Sequence, residues 1–558
     1  MKRLGLVAAV VGLIGCGSSG GGADPADAGV DAEVGDLTEQ VFDPAHVLQV
    51  DITLAAADWD LIRHQGRDLS ALAGDCQAGP PAKIYETVEA SVTIDGTTLD
   101  RIGLRKKGFL GSISTIRPSL KLDLDELVAG QKYSGLSRLT LNNNRQDGSR
   151  LRTCMVYQVF AAAGMPTPRC NYARVTVNGV DLGVYSNVEA IKKPFLRRHF
   201  SDDSGNLYEG QLSDFRAGWS ATFEKKTNAV ADRSDIDALV AALEMPDAEL
   251  LAALEPLLDI DAFLTHWALE SLTGHWDGYA NNHNNFYLYA DPTTGKFRFI
   301  PWGPDIGYTT TDPFSSPTRP VSVSAASRLA RRLYALPAIK ADYVARMRTL
   351  LDEVWDEDAL LAEVDRLDTL LAGAPDPAGL TEIRNFITGR RAAFEVELDA
   401  GGASWPFPEA TAACWREGAT TTGTFSAPYG SLNSLNPFAQ GSAQLVLTIG
   451  GTAVPFTSLG VVSGHENGEM IIRYVGQTST ELVVVQLVVD DELFQPSTMV
   501  PYHGFATYGV IVRGPNVASL TIAGFIANGR IDINNAGRTD GANVSGTFTG
   551  TVIEAPNL

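Results

Sequence analysis

From Val47 onward apolar and polar positions alternate, and Val47–Leu54 reads as a strand followed by a short helix over 57–63. Tyr85–Ile94 and Thr98–Leu104 alternate on either side of Asp95-Gly96, a type I′ turn pair, and predict a hairpin. Leu136–Leu141 is a further strand. A helix is predicted over about 149–163, with Asp147 as its N-cap and Gly164 and Pro166 closing it. Tyr172–Val177 and Asp181–Asn187, joined at Asn178-Gly179, form a second hairpin, and Ile191–Phe200 a helix with a basic end. Helical spacing runs from 235 to 272 on both sides of Pro246, with Leu264, Trp267, Ala268 and Leu272 on its apolar face. His275–Tyr308 then reads as an Asn-rich loop, a strand, a turn from Asp291 to Gly295, a second strand and the tight turn Pro301-Trp302-Gly303-Pro304-Asp305. Residues 325–400 return to helix, as a packed scaffold.

After Gly401-Gly402 the composition shifts to Thr, Gly, Ser and Val. Short β runs recur at Gln444–Ile449, Glu469–Val475, Glu481–Val489, Gly504–Val512, Ser519–Ile526 and Ser545–Val552, which predicts an all-β sandwich or barrel. Asp490 and Asp491 lie together there, either a calcium-ligating pair or two solvated acids. A chain of 558 residues exceeds one ordinary core. The pattern divides it into 1–15, 16–42, 43–400 and 401–558.

The N-terminus has targeting character. Lys2 and Arg3 precede an apolar run from Leu4 to Ile14, too short to span a bilayer, which ends in Leu13-Ile14-Gly15-Cys16. This resembles a bacterial lipobox and implies cleavage before Cys16 and lipidation of its thiol; the alternative is a plain signal peptide with an incidental Cys. Gly17 in place of an acid favours an outer-membrane or surface destination. Residues 17–42 are Gly, Ser, Ala and Asp rich, a flexible tether. An exported compartment permits disulfides, and Cys76, Cys154, Cys170 and Cys414 allow three pairings. The favoured one joins Cys154, on the predicted helix, to Cys170 just beyond the turn after it. No Cys or His spacing suits zinc.

The formal net charge is −22, which argues against nucleic acid as the main partner. Against that background residues 101–121 stand out, with Arg101, Arg105, Lys106, Lys107, Arg117 and Lys121 and no acid among them. Gly108, Gly111, Ser112 and Ser114 make the middle a loop between strands. It either covers phosphates with backbone N–H groups and cations or is an edge hairpin blunted by charge. The His275–Tyr308 stretch offers hard oxygen donors at both ends of a hairpin: Asp277, Asn281, Asn282, Asn284 and Asn285, then Asp305. That set suits a divalent cation such as Mg²⁺.

Three separated stretches, IGLRKKGFLGS with RPSLKLDLD, LTLNNNRQDGSRLRTCMVYQVF through VYSNVEAIKKPFL, and WDGYANNHNNFYLYADPTTGKFRFIPWGPDIGY, closely resemble the CotH kinase family of spore-coat-type atypical protein kinases. The resemblance covers roughly 45–400. It implies an α+β fold, a divergent protein kinase-like domain ahead of the all-β one, and ATP-dependent transfer of phosphate to Ser/Thr of a surface or envelope protein, with Mg²⁺ or Mn²⁺. Lys121 would meet the nucleotide phosphates, with Glu189 as its ion-pair partner or else as a cap of the following helix. Arg105, Lys107 and Ser112 would line the phosphate loop. Asp277 would be the catalytic Asp, whose carboxylate orients the acceptor hydroxyl and accepts its proton. Asn284 or Asn285 would give an amide oxygen to metal, and Asp305 would be the principal metal ligand. The implied protein is exported and held to the envelope by lipid.

The sequence departs from the family at Gly303, where the Pro-Trp-Asp-x-Asp turn has its first acid, and at Arg117, where Lys is frequent. These departures support a second reading, a surface scaffold or binding lipoprotein that keeps the fold without turnover. A glycan hydrolase built on paired carboxylates is a third class, for which metal explains Asp277 and Asp305 better.

Overall fold

The computed structural model describes residues 37–554 apart from 74–75, 81, 229, 231, 311–318, 410–413 and 467–468. The leader, Cys16 and most of the tether lie outside the described residues. Leu37–Phe42, which composition assigns to the tether, is a 3₁₀ turn whose Val41 and Phe42 are buried. Side-chain amides hold this segment: Asn187 donates to the Val41 carbonyl at 3.2 Å, and Asn171 to that of Asp43 at 3.1 Å.

The first lobe is a closed barrel. Its strands are β1 (Val47–Thr53), β2 (Val88–Ile94), β3 (Thr97–Lys107), β4 (Ser119–Asp123), β5 (Arg138–Asn142), β6 (Cys170–Val177) and β7 (Val180–Val188), in spatial order β1-β2-β3-β4-β5-β7-β6. All neighbours are antiparallel except β1 and β6, whose parallel pairing closes the ring. Alternation sends Val50, Val92, Leu104, Leu120, Leu122, Leu139 and Val175 into the barrel. The same alternation turns Arg105, Lys107 and Lys121 outward. Two helices join the barrel to the next lobe or lean on it: α1 (Ala56–His64) after β1, and α2 (Arg152–Ala162) between β5 and β6. The N-cap of α2 is Leu151 and not Asp147, and the helix begins three residues later than its spacing suggests; Asp147, four residues before the cap, still accepts from the Arg152 amide at 2.9 Å. The expected Cys154–Cys170 disulfide is present, and a second bond joins Cys76 to Cys414.

The second lobe holds a four-stranded sheet and a helical body. After α3 (Lys193–His199) come β8 (Leu207–Gly210) and β9 (Phe223–Lys225), then α4 (Ser234–Leu243), α5 (Asp247–Leu254), α6 (Ile260–Thr273) and α7 (Tyr279–Asn282). The hairpin β10 (Phe286–Asp291) and β11 (Lys296–Pro301) completes the sheet in the order β11-β10-β8-β9. Thus the helical span 235–272 is three helices, broken at Pro246 and again at Asp259, whose carboxylate caps α6. Helix α6 is buried on every side, as expected of an axis around which a lobe packs. Helices α8 (Arg328–Tyr334), α9 (Pro337–Glu353), α10 (Glu357–Leu370) and α11 (Pro377–Asp399) pack on it as scaffold. No described helix is long and apolar enough to cross a membrane.

Residues 416–554 carry a nine-stranded antiparallel sheet and a two-stranded one. The large sheet curls until its edge strands approach, with Tyr429 bridged to Ser463 and hydrogen-bonded from its hydroxyl to His465 at 2.8 Å. Phe425, Ile472, Val485, Ile533 and Phe548 fill the curl. The chain is therefore α+β with a large β region at its C-terminal end. Asp491 is not poised for calcium: its carboxylate meets His465 at 2.5 Å and Arg538 at 2.7 Å.

Candidate functional site

Helix α6 delivers the site. Its buried Glu270 accepts hydrogen bonds from the backbone N–H groups of Tyr279 and Ala280 at 2.8 and 2.9 Å, and contacts His266 at 3.1 Å. One carboxylate thus anchors the start of α7 to the last turn of α6, and the loop between them is bent back on itself. His266 and His275 hold the Glu270 carboxyl below its usual range against the opposing effect of burial. His275 lies 3.1 Å from the Trp302 carbonyl, which ties the loop to the turn after β11.

Burial pushes the His275 imidazole down to about 4, with Glu270 opposing. A folded value below the unfolded value of about 6.5 means the unfolded chain binds the extra proton. The stability from neutral His275 is complete above about 6.5 and is lost as pH falls toward 4. Acidification from pH 7 to 5 is expected to remove about 2 kcal/mol through this group. His275→Gln should flatten the fall in thermal midpoint over that interval; an unchanged slope would show that His275 does not titrate there.

The loop presents Asp277, only 2% exposed, to a fan of amides. Its Oδ1 accepts from Asn282 at 2.5 Å and Asn284 at 3.2 Å, and its Oδ2 from Asn285 at 2.7 Å. Three donors fix the carboxylate in one orientation. Asn285 also reaches the Gly303 carbonyl at 3.4 Å. Asp277, Asn284 and Asn285 therefore form one cluster with the turn that carries the buried Asp305. Asn281 departs from it, bonding to the Trp276 carbonyl, Arg319 and Ser324. Gly303 has φ +54°, and a Cβ there would stand 2.9 Å from Asn285 Oδ1. The missing acid and the close approach of Asn285 are thus two sides of one local structure.

The donors near the turn are all hard oxygens: the Asp305 carboxylate and the Asn285 amide oxygen that faces Gly303. Among the described residues no group of three or more His, Cys, Asp or Glu forms a ready-made metal centre. A sparse oxygen set of this kind fits Mg²⁺, which keeps most of its waters, better than it fits zinc or calcium.

The second cluster is cationic and lies on the outside of the barrel. Lys121 stands opposite Arg105 across β3 and β4. Burial first, then Arg105, Arg138 and Lys192, push its ammonium well below the ordinary range, with Asp123 opposing. Among the described residues Lys121 has no ion pair with a carboxylate; Asp123 pairs instead with Arg138 at 2.8 Å. Lys107 is fully buried and donates to Asn142 Oδ1.

Glu189 joins neither cluster. It pairs with Arg169 at 2.9 Å and with Arg198, so it fastens the start of β6 to α3 and is not the partner of Lys121. Its place one residue past β7 aims it along the barrel rim rather than across the sheet. The acid that does act on the cationic face from the second lobe is Glu209 of β8. It is buried and bonds to Lys226 at 2.7 Å; burial pushes the Arg105 guanidinium down, and Glu209 opposes that behind Asp123 and Glu126. Sequence reasoning passed over it; an acid in the middle of the otherwise buried run Leu207–Gly210 was the available signal.

The loop between β3 and β4 is also not free. Leu110 and Ile113 are fully buried and Ser112 is 2% exposed, its Oγ seated against Gly108, where φ is +118° and a Cβ would meet it at 2.2 Å. The C-terminal sheet covers this loop. Phe109 and Leu110 share a core with Phe505, Tyr508 and Ile471, and Trp276 beside Asp277 belongs to the same core. Thr115 donates to Asp490 at 2.5 Å, Arg145 pairs with Glu469 at 2.5 Å, and Arg63 with Glu492 at 2.6 Å. The Cys76–Cys414 bond fastens the same two parts covalently.

Residues 104–378 match the family model described as CotH kinase protein. Inner spore coat protein H of Bacillus subtilis is 25% identical over 185 residues, 31% of this chain and 50% of that protein. Invasin CotH2 of Rhizopus delemar is 25% identical over 178 residues, 29% of this chain and 30% of that protein. The chain thus spans half or less of the length of these relatives. Among solved structures, the Helicobacter pylori proinflammatory kinase CtkA shares 9% identity at a TM-score of 0.27, over 51% of this chain and 90% of that one, a likeness too low to inform the fold.

Proposed function

We propose that this chain, whose residues 104–378 match the CotH kinase family model, is an atypical protein kinase that transfers the terminal phosphate of ATP to Ser/Thr hydroxyls of envelope or surface proteins. The observation that carries the reading is Lys121: a buried ammonium set among Arg105, Arg138 and Lys192, which among the described residues forms no ion pair with a carboxylate and has only Asp123 opposing the repulsion. An ammonium placed in this way favours an incoming anion, and a polyphosphate supplies one.

In this reading Lys121 and Arg105 bind the phosphates, and Glu209 and Lys226 set the charge on the second-lobe side. Asp305 and the Asn285 amide oxygen would hold Mg²⁺ or Mn²⁺, which when bound neutralises charge on the phosphate oxygens. Asp277, oriented by its three amides, positions the acceptor hydroxyl and accepts its proton late in the transfer. Export with a lipid anchor at Cys16 accords with the two disulfides, which persist in oxidising compartments.

The full chain, incubated with γ-labelled ATP, Mg²⁺ and a protein acceptor, is expected to transfer label, and EDTA or Lys121→Ala to abolish the transfer. Equal label in wild type and Lys121→Ala would remove the reading. A second reading, a catalytically inactive scaffold, is favoured by Gly303 and by the burial of Asp277 and Asp305. It predicts no transfer at all, with the fold intact.

A further inference from the structure

A second cationic feature lies away from the Asp277 loop. Strand β5 pairs with β7 only at Leu141–Asn187 and Asn142–Ser186, so the first half of β7 has an open edge on that side. Arg117 fills the gap: its guanidinium donates to the Val184 carbonyl and lies 4.9 Å over the Tyr185 ring. Arg150 is brought in from the turn before α2. It is held at φ +65°, in the left-handed region, and its Nε donates to the Ala374 carbonyl at 3.2 Å. Arg174 of β6 completes a cavity of about 310 Å³ between the barrel and the turn that joins α10 to α11. That volume is at the lower end of ligand pockets.

Capping the β7 edge accounts for one donor of Arg117. It does not account for three guanidiniums lining one cavity of a chain with net charge −22. The nearby acids are already engaged. Asp147 serves Ser149 and Arg152, and Asp181 pairs with the outer side of Arg174 at 2.8 Å. Asp376 caps α11 through the Ala378 amide. Among the described residues neither Arg117 nor Arg150 has an ion pair, and the buried Nε of Arg117 makes no hydrogen bond. Burial and then the repulsion of Arg150 push the Arg117 guanidinium down to about 10. Tyr185 and Asp181 oppose this only in part, so an anion entering the cavity would relieve the charge on Arg117.

We propose that the cavity lined by Arg117, Arg150 and Arg174 binds a phosphate group, apart from the nucleotide site at Lys121, and that the bound anion ties the barrel to the α10–α11 turn. Arginine forks suit the paired oxygens of a phosphate. The group comes either as free phosphate or on a phosphorylated side chain. The proposal does not depend on the kinase reading.

The test is thermal shift and titration calorimetry of the full chain with sodium phosphate against sodium chloride at equal ionic strength, and with O-phosphoserine as a second arm. Wild type should show a saturable shift with phosphate. Arg117→Gln and Arg150→Gln should each weaken binding by about tenfold or more, the share of one charge-assisted contact. Lys121→Ala should leave it unchanged. Arg174→Gln, with a half-exposed side chain, serves if the other two fail to fold. Tighter binding of O-phosphoserine identifies a modified side chain as the source, equal binding identifies free phosphate, and both support the site. No phosphate-specific shift, wild-type affinity in the arginine variants, or loss of binding in Lys121→Ala each overturn it.

Discussion

Asp277→Asn is expected to lower kcat for phosphate transfer by about 10²–10⁴-fold, the usual contribution of a positioned base. The substitution is nearly isosteric but not neutral to its surroundings. The carboxylate accepts from three amides, two on Oδ1 and one on Oδ2. An amide in its place offers one oxygen and two N–H groups, so one partner of the fan faces a donor. The cost of such a mismatch is about 1–3 kcal/mol, which a thermal melt would show. The loss of transfer should exceed what that destabilisation explains, because in the proposed reading nucleotide affinity would rest on Lys121 and Arg105 and not on Asp277. Measuring kcat, ATP affinity and melting together separates the roles. If kcat stays within twofold of wild type while the melt shifts, Asp277 only orders the loop. The inactive-scaffold reading gives the melt shift with no transfer to lose.

The parts of the molecule legible in its sequence are those whose partners are close along the chain. The hairpin β10–β11 is fixed by Asp291 and Gly295, and Cys154–Cys170 by a helix and turn only 16 residues long. Alternation placed Lys121, Arg105 and Lys107 outside the barrel because period two settles which face a side chain takes. It does not settle what that face meets. Glu189 looked like the partner of Lys121 and instead found Arg169 and Arg198. Glu209, the acid that acts on Arg105 from the second lobe behind Asp123 and Glu126, stands more than 80 residues from Lys121 in a four-residue strand. Composition failed at Leu37–Phe42 for a related reason. What fixes that segment is the pair Asn171 and Asn187, far along the chain, and not its own apolar content. Local pattern also gave no sign of the contact between the C-terminal sheet and the loop between β3 and β4. The bond between Cys76 and Cys414 closes 338 residues, and no local pattern announces a contact of that range.

That contact sets the second large expectation. Phe505→Ala is expected to destabilise the chain by about 3–5 kcal/mol, as for other buried Phe truncations, and to loosen the loop between β3 and β4. Phe505 is fully buried; its ring packs at 5.1 Å from Tyr508 and 5.8 Å from Phe525, and its amide faces the Leu110 carbonyl at 3.4 Å. Phe109, Leu110 and Trp276 share its core, so the cavity opens toward both the loop and the Asp277 segment. Exchange of the amides from 109 to 115 with deuterated solvent should accelerate well beyond the change in strands on the other side of the curl, such as 544–552. Cys76–Cys414 would keep the sheet attached, so the response should be local loosening and not separation of the two parts. Uniform acceleration across the whole chain would mean that Phe505 supports global stability alone. Acceleration confined to the loop and to 275–282 would make the C-terminal sheet a built-in wall of the site. Nucleotide affinity should then change in Phe505→Ala although no residue that touches the nucleotide has been altered.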